Sequence, residues 1–389
     1  MTLRLMQAAA LLMVAACGSA PSSTAAQSRS ERPFTVTEVT RFSTPWAMDF
    51  LPGSGVRMTT AALITEKEGK LWLVNANTGA RQPVAGVPQV KVAGQGGLGD
   101  VVAHPDFAGN HRVYLSYAEA GPNGTSGAAI GYGRLILGQG PPRIDGFKVI
   151  WRQSPKVDGD GHFGHRIAFG PDRTMFVSSG ERQKMDPAQD LGGNLGKVLH
   201  LTDEGAPAAG NPWASRGGLA ATFWSYGHRN PLGLAFAPDG RLWVSEMGPQ
   251  GGDELNLILP GKNYGWPRAS YGSHYGGAPI PDDHRGSGFE EPKVWWNPSI
   301  SPGGLLIYSG DLFPQWKGDA LIGALSGEAL IRVDVDGDRA RKADQWPMGA
   351  RIRAVDQGPR GEVYLLEDGP SGGRLLRLEP AVQARRKRK

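Results

Sequence analysis

One segment of the chain, residues 226–267, carries a cation and hard oxygen ligands within a single predicted β-unit. Arg229 and Asn230 precede an apolar strand, and a glycine-rich turn with the adjacent carboxylates Asp253 and Glu254 follows the next strand. A guanidinium has a rigid fork of donors that suits a carboxylate or a developing oxyanion. Carboxylate and backbone oxygens are the ligands that Ca²⁺ prefers. The segment therefore predicts an anionic ligand beside Ca²⁺, against the alternative of a turn held by Asx-type hydrogen bonds.

Further segments place polar residues beside glycines at the entrances of other predicted strands. Gln95 lies in VAGQGGLG, and His162 and His165 lie in GDGHFGHRIAF. Arg351 and Arg353 are two residues apart, so in a strand both side chains point to one face. A neutral imidazole can act as a general base near pH 7, although packing is the commoner role of a single histidine. The two histidines lack a nearby third nitrogen or sulfur ligand for zinc.

The elements that must position these residues are six copies of a hairpin pattern, in which a turn joins two apolar strands. The copies cover residues 46–75, 101–117, 167–181, 234–248, 305–325 and 354–369. A period near 60 residues is typical of radial repeats, because each unit is too small to bury its own face and must stack on its neighbours. We predict an all-β fold, a six-bladed β-propeller of four-stranded antiparallel blades. Paired β-sandwiches would not explain the regular period, and a β-solenoid would need a shorter one.

The charge of the chain does not indicate a nucleic-acid-binding protein. The formal net charge is +5, but the last five residues, 385–389, are all basic and account for it. The remaining 37 basic residues balance the 37 acidic ones. We expect a neutral body with a disordered basic tail.

The N-terminus has the pattern of an export signal. Arg4 precedes a short apolar run, Met6 to Ala16, which is too short to span a bilayer. The run ends in Val-Ala-Ala-Cys17, which resembles the bacterial lipobox and predicts an acylated Cys17 in an exported, periplasmic protein anchored to a membrane by lipid. An ordinary signal cut near Ala25 is the alternative. Because Cys17 is the only cysteine, an internal disulfide is excluded.

The predicted organisation follows from these patterns. It comprises a signal peptide (1–16), a flexible tether (17–32), a catalytic propeller (33–380) and a disordered basic tail (381–389).

The motifs together resemble the soluble quinoprotein sugar dehydrogenases, and more closely their aldose sugar dehydrogenase branch. The most specific matches are YGHRNPLGLAF, SEMGPQGGDELN and GKNYGWP, supported by HFGHRIAF, GQGGLGDVVAHPDF and RIRAV. The resemblance runs from about Pro33 to Leu378. It implies oxidation of aldose sugars at C1 to the lactone, with pyrroloquinoline quinone (PQQ) and Ca²⁺ as cofactors. It also implies a quinone or cytochrome as electron acceptor.

The resemblance also implies roles for individual residues. His162 would take the proton from the anomeric hydroxyl while hydride passes to the quinone C5 carbon, and Arg229 would stabilise the charge that develops on the quinone oxygen. The implied cofactor contacts are Gln95, Arg229, Asn230, Tyr275, Leu325, Ser326, Arg351 and Arg353. The implied Ca²⁺ ligands are the carbonyls of Gly248 and Pro249 for one ion, and Glu254 with the Tyr264 carbonyl for a second.

The chain departs from the family pattern at three positions. Gly161 stands where the glucose-oxidising branch has an aspartate, His165 replaces a glycine, and Ser326 replaces a cofactor-binding lysine. Without that lysine, the binding of an acidic cofactor should be weaker unless another cation compensates. The chain is also shorter than the glucose-oxidising members, which predicts a more open cleft and broad aldose specificity.

Two other functions stay open at this point. One is a Ca²⁺-dependent lactonase, which would need acidic and asparagine ligands converging from several blades. The other is a non-catalytic binding propeller that does not hold the cofactor.

Overall fold

The computed structural model describes residues 32–53, 60–282, 284 and 286–381. The predicted signal peptide, Cys17, most of the tether and residues 382–389 lie outside these residues and stay predictions. None of the helices in the described ranges is long and apolar enough to cross a membrane.

The first strand of the chain, β1 (Phe34–Phe42), is followed by three blades whose strands pair in chain order. Blade one comprises β2 (Pro45–Phe50), β3 (Ala61–Glu66), β4 (Lys70–Asn75) and β5 (Arg81–Val84). Blade two comprises β6 (Leu98–Ala103), β7 (Arg112–Ala120), β8 (Ser126–Ile136) and β9 (Arg143–Arg152). Blade three comprises β10 (Gly164–Phe169), β11 (Met175–Ser179), β12 (Lys197–Leu201) and β13 (Phe223–Tyr226).

The second half of the chain forms the remaining three blades and one small extra sheet. The next strands are β14 (Pro231–Phe236), β15 (Leu242–Glu246), β16 (Gln250–Gly251), β17 (Asp253–Ile258), β18 (Gly272–Ser273) and β19 (Val294–Trp296). Blade four is β14-β15-β17-β19, and β16 pairs with β18 beside it. Blade five comprises β20 (Pro302–Ile307), β21 (Ala320–Ala324), β22 (Ala329–Asp336) and β23 (Arg339–Pro347). Blade six contains β24 (Arg351–Gln357), β25 (Val363–Asp368) and β26 (Gly373–Pro380).

Helical structure in the described ranges is confined to single turns between the strands. There is one short α-helix, α1 (Phe107–Asn110), and there are 3₁₀ turns at Pro122–Gly124, Asp186–Ala188, Ala214–Arg216, Gly218–Thr222 and Pro314–Trp316. The predicted six-bladed propeller is confirmed, and each sequence repeat begins on the first strand of a blade.

The ring is closed by the N-terminal strand, a feature that the repeat pattern does not predict. β1 pairs antiparallel with β26, from Phe34 opposite Pro380 to Phe42 opposite Gly373. It therefore supplies the outer strand of blade six, which otherwise has strands from the C-terminal end only. Closure of this kind removes the open edges that a linear stack of sheets would leave.

The hydrophobic core lies between neighbouring blades and not within any single one. Leu63 of blade one packs in one cluster with Leu115 of blade two, and Tyr114 of blade two packs in another with Leu199 of blade three. Each sheet therefore needs both neighbours to cover its faces. The first strands of consecutive blades also contact one another all the way round the ring, which brings the beginnings of six strands to one end of a central channel.

The closing strand provides a test of this architecture. Phe34 is 4% exposed and packs edge-on against Trp316 and Trp346 of blade five, at centroid distances of 6.0 and 5.3 Å. We expect Phe34→Ala to reduce the free energy of unfolding by about 3–5 kcal/mol, because the truncation removes a large buried apolar group and leaves a cavity. Val36→Ala on the same strand is the matched control, since Val36 is 38% exposed and its truncation should change stability by about 0.5 kcal/mol or less. Equal losses of stability in denaturant unfolding would contradict the packing described for β1.

Candidate active site

A cavity of about 430 Å³ opens where the first strands of the six blades begin. Every blade contributes to its wall through a residue at or near the start of its first strand: Trp46, Gln95, His165, Leu232, Ser301 and Arg353. The propeller thus brings together residues that are hundreds of positions apart in the sequence. Gln95, Leu325, Arg351 and Arg353, all predicted to bind a cofactor, lie on this wall.

The sixth blade gives the cavity a cationic side. Arg351 Nη2 and Arg353 Nε both donate to Asp368 Oδ2, at 3.3 and 3.1 Å. Burial lowers the pKa of Arg353, and Asp368 opposes that shift. Burial would raise the pKa of Asp368, but the two arginines outweigh it and hold that pKa below its ordinary value. Two guanidinium groups therefore share one carboxylate, which leaves a net positive charge facing the cavity and suits an acidic ligand.

Lys67 is a second cationic group on the cavity wall that the sequence analysis did not select. Its Nζ donates to the carbonyl of Gly94 at 2.8 Å, next to Gln95. Lys67 follows β3 in the same way that many surface lysines follow strands, so no signal in the sequence alone separates it from them.

His162 lies just before β10 and is held in place through both its backbone and its ring. Its backbone N–H donates to Gln95 Oε1 at 2.8 Å, and its Nδ1 lies 2.5 Å from Oε1 of the buried Glu181. Burial would raise the pKa of Glu181, but the contact with His162 outweighs it and lowers that pKa. Glu181 is therefore a carboxylate that can only accept, so Nδ1 carries the proton and Nε2 keeps its lone pair.

The protonation state of His162 suits a base. Burial lowers its pKa, Arg229 lowers it further, and the hydrogen bond to Glu181 opposes the shift. The ring is therefore neutral at pH 7 and can accept a proton at Nε2. Glu181 was missed in the sequence because it falls just past the end of β11 in VSSGE, where a carboxylate resembles an ordinary turn residue.

A second buried histidine–glutamate pair in the next blade shows the contrast. His228 Nδ1 contacts Glu246 Oε1 at 2.9 Å, and its Nε2 contacts Ser225 Oγ at 2.8 Å. Because both ring nitrogens are occupied by the protein, His228 is a packing residue and not a candidate base.

Arg229 borders a pocket of about 200 Å³ whose wall includes His162, Glu181, Gln183, Met185, Pro249, Trp266, His274 and Tyr275. The guanidinium donates to the carbonyls of Met247 and Gly248 at 3.1 and 2.7 Å and to the Tyr275 hydroxyl at 3.1 Å. Among the described residues, Arg229 Nε and Asn230 Oδ1 are buried without a hydrogen-bond partner. Such orphaned groups are uncommon in folded proteins, and Arg229 borders a pocket in which a bound ligand would give its Nε a partner.

The pocket is open on the side of Tyr275, which is 73% exposed. On the other side, Gln183 fills the space next to Gly161, because a Cβ placed on that glycine would lie 2.5 Å from Gln183 Oε1. Gly161, which stands where the glucose-oxidising branch has an aspartate, is thus matched by a glutamine from the following loop.

The glycine-rich turn of blade four separates the two carboxylates that the sequence presents side by side. Asp253 accepts from the backbone N–H groups of Gly248, Ile300 and Ser301 at 2.7–2.8 Å. Asp253 therefore ties this turn to blade five, as the alternative of a hydrogen-bonded turn predicted, and is not a free ligand.

Glu254 lies on the wall of a small cavity with Glu246, Gly248 and Tyr264. Its volume of about 10 Å³ is close to that of one water-sized sphere. Burial raises the pKa of Glu254 well above its ordinary value, and repulsion from Glu246 adds to the shift. A cation bound there would offset the repulsion between two buried carboxylates.

Four predicted cofactor residues are not part of the main cavity wall: Arg229, Asn230, Tyr275 and Ser326. Arg229 and Tyr275 line the smaller pocket instead. Ser326 directs its Oγ to Ser301 Oγ at 2.8 Å and to the Ser299 carbonyl at 3.3 Å, at an exposed position. Within the described residues, no three side chains of His, Cys, Asp or Glu converge on a common metal position.

Comparisons with known proteins identify the family of this chain. The family model described as glucose/sorbosone dehydrogenase matches residues 42–377. The chain is 41% identical over 341 residues to the aldose sugar dehydrogenase YliI of Escherichia coli, a match that covers 86% of this chain and 90% of the relative.

Solved structures give the same result. The soluble aldose sugar dehydrogenase of Escherichia coli in its apo-form has a TM-score of 0.83 and 39% identity, with 90% of this chain and 100% of that one covered. The PQQ-bound aldose sugar dehydrogenase of Streptomyces coelicolor has a TM-score of 0.74 and 31% identity, with 89% and 98% covered. The resemblance inferred from the motifs is thereby confirmed, and the chain belongs to the glucose/sorbosone dehydrogenase family of oxidoreductases.

Proposed function

We propose that this chain oxidises aldose sugars at C1 to the lactone, with PQQ and Ca²⁺ as cofactors and His162 as general base. The observation that carries the proposal is the open Nε2 of a neutral imidazole, fixed by Glu181, beside a cavity with a cationic far wall. The PQQ-bound structure of a relative at 31% identity supports the choice of cofactor.

The residues present fit an acidic quinone. The cavity of about 430 Å³ is large enough for a planar tricyclic ligand, and Arg351 and Arg353 would hold its carboxylates. Gln95 and Leu325 would line it, Tyr275 would cover part of it, and the orphaned donor Arg229 Nε would gain an acceptor. When bound, PQQ supplies a two-electron acceptor, and Ca²⁺ supplies Lewis-acid polarisation of the quinone.

The chain's own residues carry out the proton chemistry. His162 Nε2 would take the proton of the anomeric hydroxyl, and the C1 hydride lost with that proton would need the two-electron acceptor that PQQ supplies. Glu181 keeps the imidazole in the required tautomer and stabilises the imidazolium that forms, as the aspartate does in a catalytic triad. Arg229 is placed to stabilise negative charge that develops next to it.

The sugar would occupy the pocket of about 200 Å³ beside His162. Met185, Trp266 and Tyr275 give it apolar surface, and Gln183 and His274 give it polar groups. Met185 is 41% exposed and Tyr275 is 73% exposed, so the pocket is open to solvent. An open pocket accommodates sugars of different length, which supports a broad aldose specificity.

Two Ca²⁺ ions fit different parts of blade four. The carbonyls of Gly248 and Pro249 would bind the ion next to the quinone, where Arg229 at present donates to the Gly248 carbonyl. Glu254 and the Tyr264 carbonyl would bind a second, structural ion in the small cavity shared with Glu246.

The location of the protein and its electron acceptor are also part of the proposal. The export signal and Cys17 predict a periplasmic enzyme held by a lipid anchor, which intact-mass analysis of the mature N-terminus would test. A quinone or cytochrome would then accept the electrons. The lactonase alternative is less favoured because the main cavity is lined by Lys67, Arg351 and Arg353 with one carboxylate, Asp368, whereas a lactonase would need acidic and asparagine ligands converging from several blades.

The first prediction concerns activity. Apoprotein mixed with PQQ and Ca²⁺ should reduce a dye acceptor with several aldoses, and His162→Ala should lower kcat by about 10²–10⁴-fold, the usual contribution of a general base. Bound PQQ, measured by absorbance, should stay close to the wild-type amount. His104→Asn is the control, since His104 follows the far end of β6. No turnover and no retained PQQ in the wild type would contradict the function, whereas full activity of His162→Ala would contradict only the base.

The second prediction concerns protonation. Histidine NMR of the apoprotein should show His162 titrating below its ordinary value of 6.5. Glu181→Gln should lower that pKa further, because the carboxylate is the group that raises it. Since the neutral ring is the active form, the acid limb of the pH profile of kcat/KM should move to lower pH in this variant. The plateau of kcat/KM should fall by up to about 10⁴-fold, because the tautomer is no longer fixed. A limb that moves to higher pH would overturn the assigned roles.

The third prediction concerns the structural ion. Ca²⁺ at 100 times its Kd should stabilise the wild type by about 2.7 kcal/mol, seen as a rise in Tm. In Glu254→Gln that rise should shrink. The Ca²⁺-free variant should be at least as stable as the wild type, because the burial penalty of the carboxylate and its repulsion from Glu246 are both gone. Glu68→Gln, at an exposed site, is the control. An unchanged rise in Glu254→Gln would show that the ion does not bind there.

A further inference from the structure

His165, a residue outside the proposed reaction, lies on the wall of the main cavity with its ring fixed. The residue is 2% exposed, and its ring stacks on Trp46, with centroids 5.0 Å apart and planes 13° from parallel. Its φ of 56° is in the left-handed region, which costs energy for a residue with a side chain. The position is therefore one that the surrounding structure imposes.

The room for this ring comes from a glycine in the neighbouring blade. A Cβ placed on Gly99 would lie 1.9 Å from His165 Cε1 and 2.3 Å from its Nδ1. No side chain at position 99 is compatible with the imidazole in its present place. His165 stands where the family has a glycine, and a glycine on the facing strand, Gly99, makes room for its ring.

Hydrogen bonding fixes the tautomer of the ring. The backbone N–H of Asp100 donates to Ser116 Oγ at 2.7 Å, and Ser116 Oγ lies 2.6 Å from His165 Nδ1. The serine hydroxyl has one proton and, among the described residues, no other acceptor than Nδ1. It therefore donates to Nδ1, and the ring proton is on Nε2. Burial, with Arg166 and Arg182 nearby, lowers the pKa of His165 to about 3, so the ring is neutral.

Nδ1 is the ring nitrogen that contacts another described side chain, which leaves Nε2–H as the donor of a ring on the main cavity wall. Arg166, the neighbouring cation, is held by the protein: each of its three guanidinium nitrogens donates once, to the carbonyl of Leu232, to Asp100 and to the carbonyl of Gly303. A directed donor at the wall of a cationic cavity suits an anionic acceptor, because hydrogen bonds to charged groups are the stronger ones.

We propose that His165 Nε2–H donates a hydrogen bond to an anionic oxygen of the cofactor and compensates in part for the cation that is absent where Ser326 stands in place of lysine. The inference rests on the proposed function, since it takes PQQ as the ligand. It adds a cofactor-positioning residue, made possible by Gly99 and set in its tautomer by Ser116. The chain thereby has a neutral donor held in one direction instead of a mobile charge.

The test is the affinity of apoprotein for PQQ in the presence of Ca²⁺, measured by fluorescence quenching. His165→Phe keeps an aromatic ring on Trp46 but removes the donor, and should weaken binding about 10-fold, the value of one hydrogen bond to a charged group. His165→Gln retains an N–H donor and should bind within about threefold of the wild type. Because the donor removed is neutral, the dependence of affinity on salt should be the same in all three proteins.

A second pair of variants examines the replacement of the lysine. Ser326→Lys should tighten binding more in the His165→Phe background than in the wild type, since the wild type already has a partial substitute. Equal affinities of wild type and His165→Phe, or a His165→Gln that folds but binds as weakly as His165→Phe, would overturn the inference. A wild type that binds no PQQ at all would instead overturn the proposed function. If His165→Phe does not fold, as judged by its Tm, His165→Leu takes its place in both comparisons, because it also removes the donor.

Discussion

The pairing of β1 with β26 is the constraint on which the rest of this molecule depends. No blade buries its own faces, and the apolar clusters lie between sheets, so the ring is stable only when all six blades are held in a closed circle. The N-terminal strand completes the last blade and thereby the circle. The candidate site is a consequence of that closure, because its cavity is bounded by the starts of six strands, one from each blade.

Within the ring, buried charges are arranged in partnerships that leave specific atoms available. Asp368 shares one oxygen between Arg351 and Arg353, and Glu181 occupies only the Nδ1 side of His162. Arg166 is committed to Asp100 and two carbonyls. These contacts stabilise charges that burial alone would penalise, and they fix the direction in which each remaining donor or acceptor points. The hydrogen bonds within the protein therefore determine which donors and acceptors remain for a ligand.

The sequence predicts the propeller because period and turn chemistry are local properties, repeated six times. It also selects Gln95, His162, Arg229 and the arginine pair, since each stands at the entrance of a strand among glycines. It does not predict β1 as the closing strand, because no local pattern says which strand a terminus will join. Contacts between segments were missed because no local pattern shows which residues will meet. Examples are Glu181 on His162, Gln183 beside Gly161, and Gly99 of β6 against His165 of β10. Asp253 was considered as a Ca²⁺ ligand but accepts hydrogen bonds from backbone N–H groups. The sequence cannot separate these two roles, because a carboxylate in a glycine-rich turn reads the same in both.

We propose that one cavity, bounded by all six blades, holds an acidic quinone between the arginines of blade six and the imidazole of blade three. A crystal structure of the protein soaked with PQQ and Ca²⁺ tests this most directly. We expect density for the quinone in the main cavity, its carboxylates on Arg351 and Arg353, and an ion on the Gly248 and Pro249 carbonyls, with His162 Nε2 facing the space left for the sugar. Quinone density at another place would contradict this arrangement. An empty cavity at saturating PQQ, with Arg351 and Arg353 still bonded to Asp368, would contradict it too.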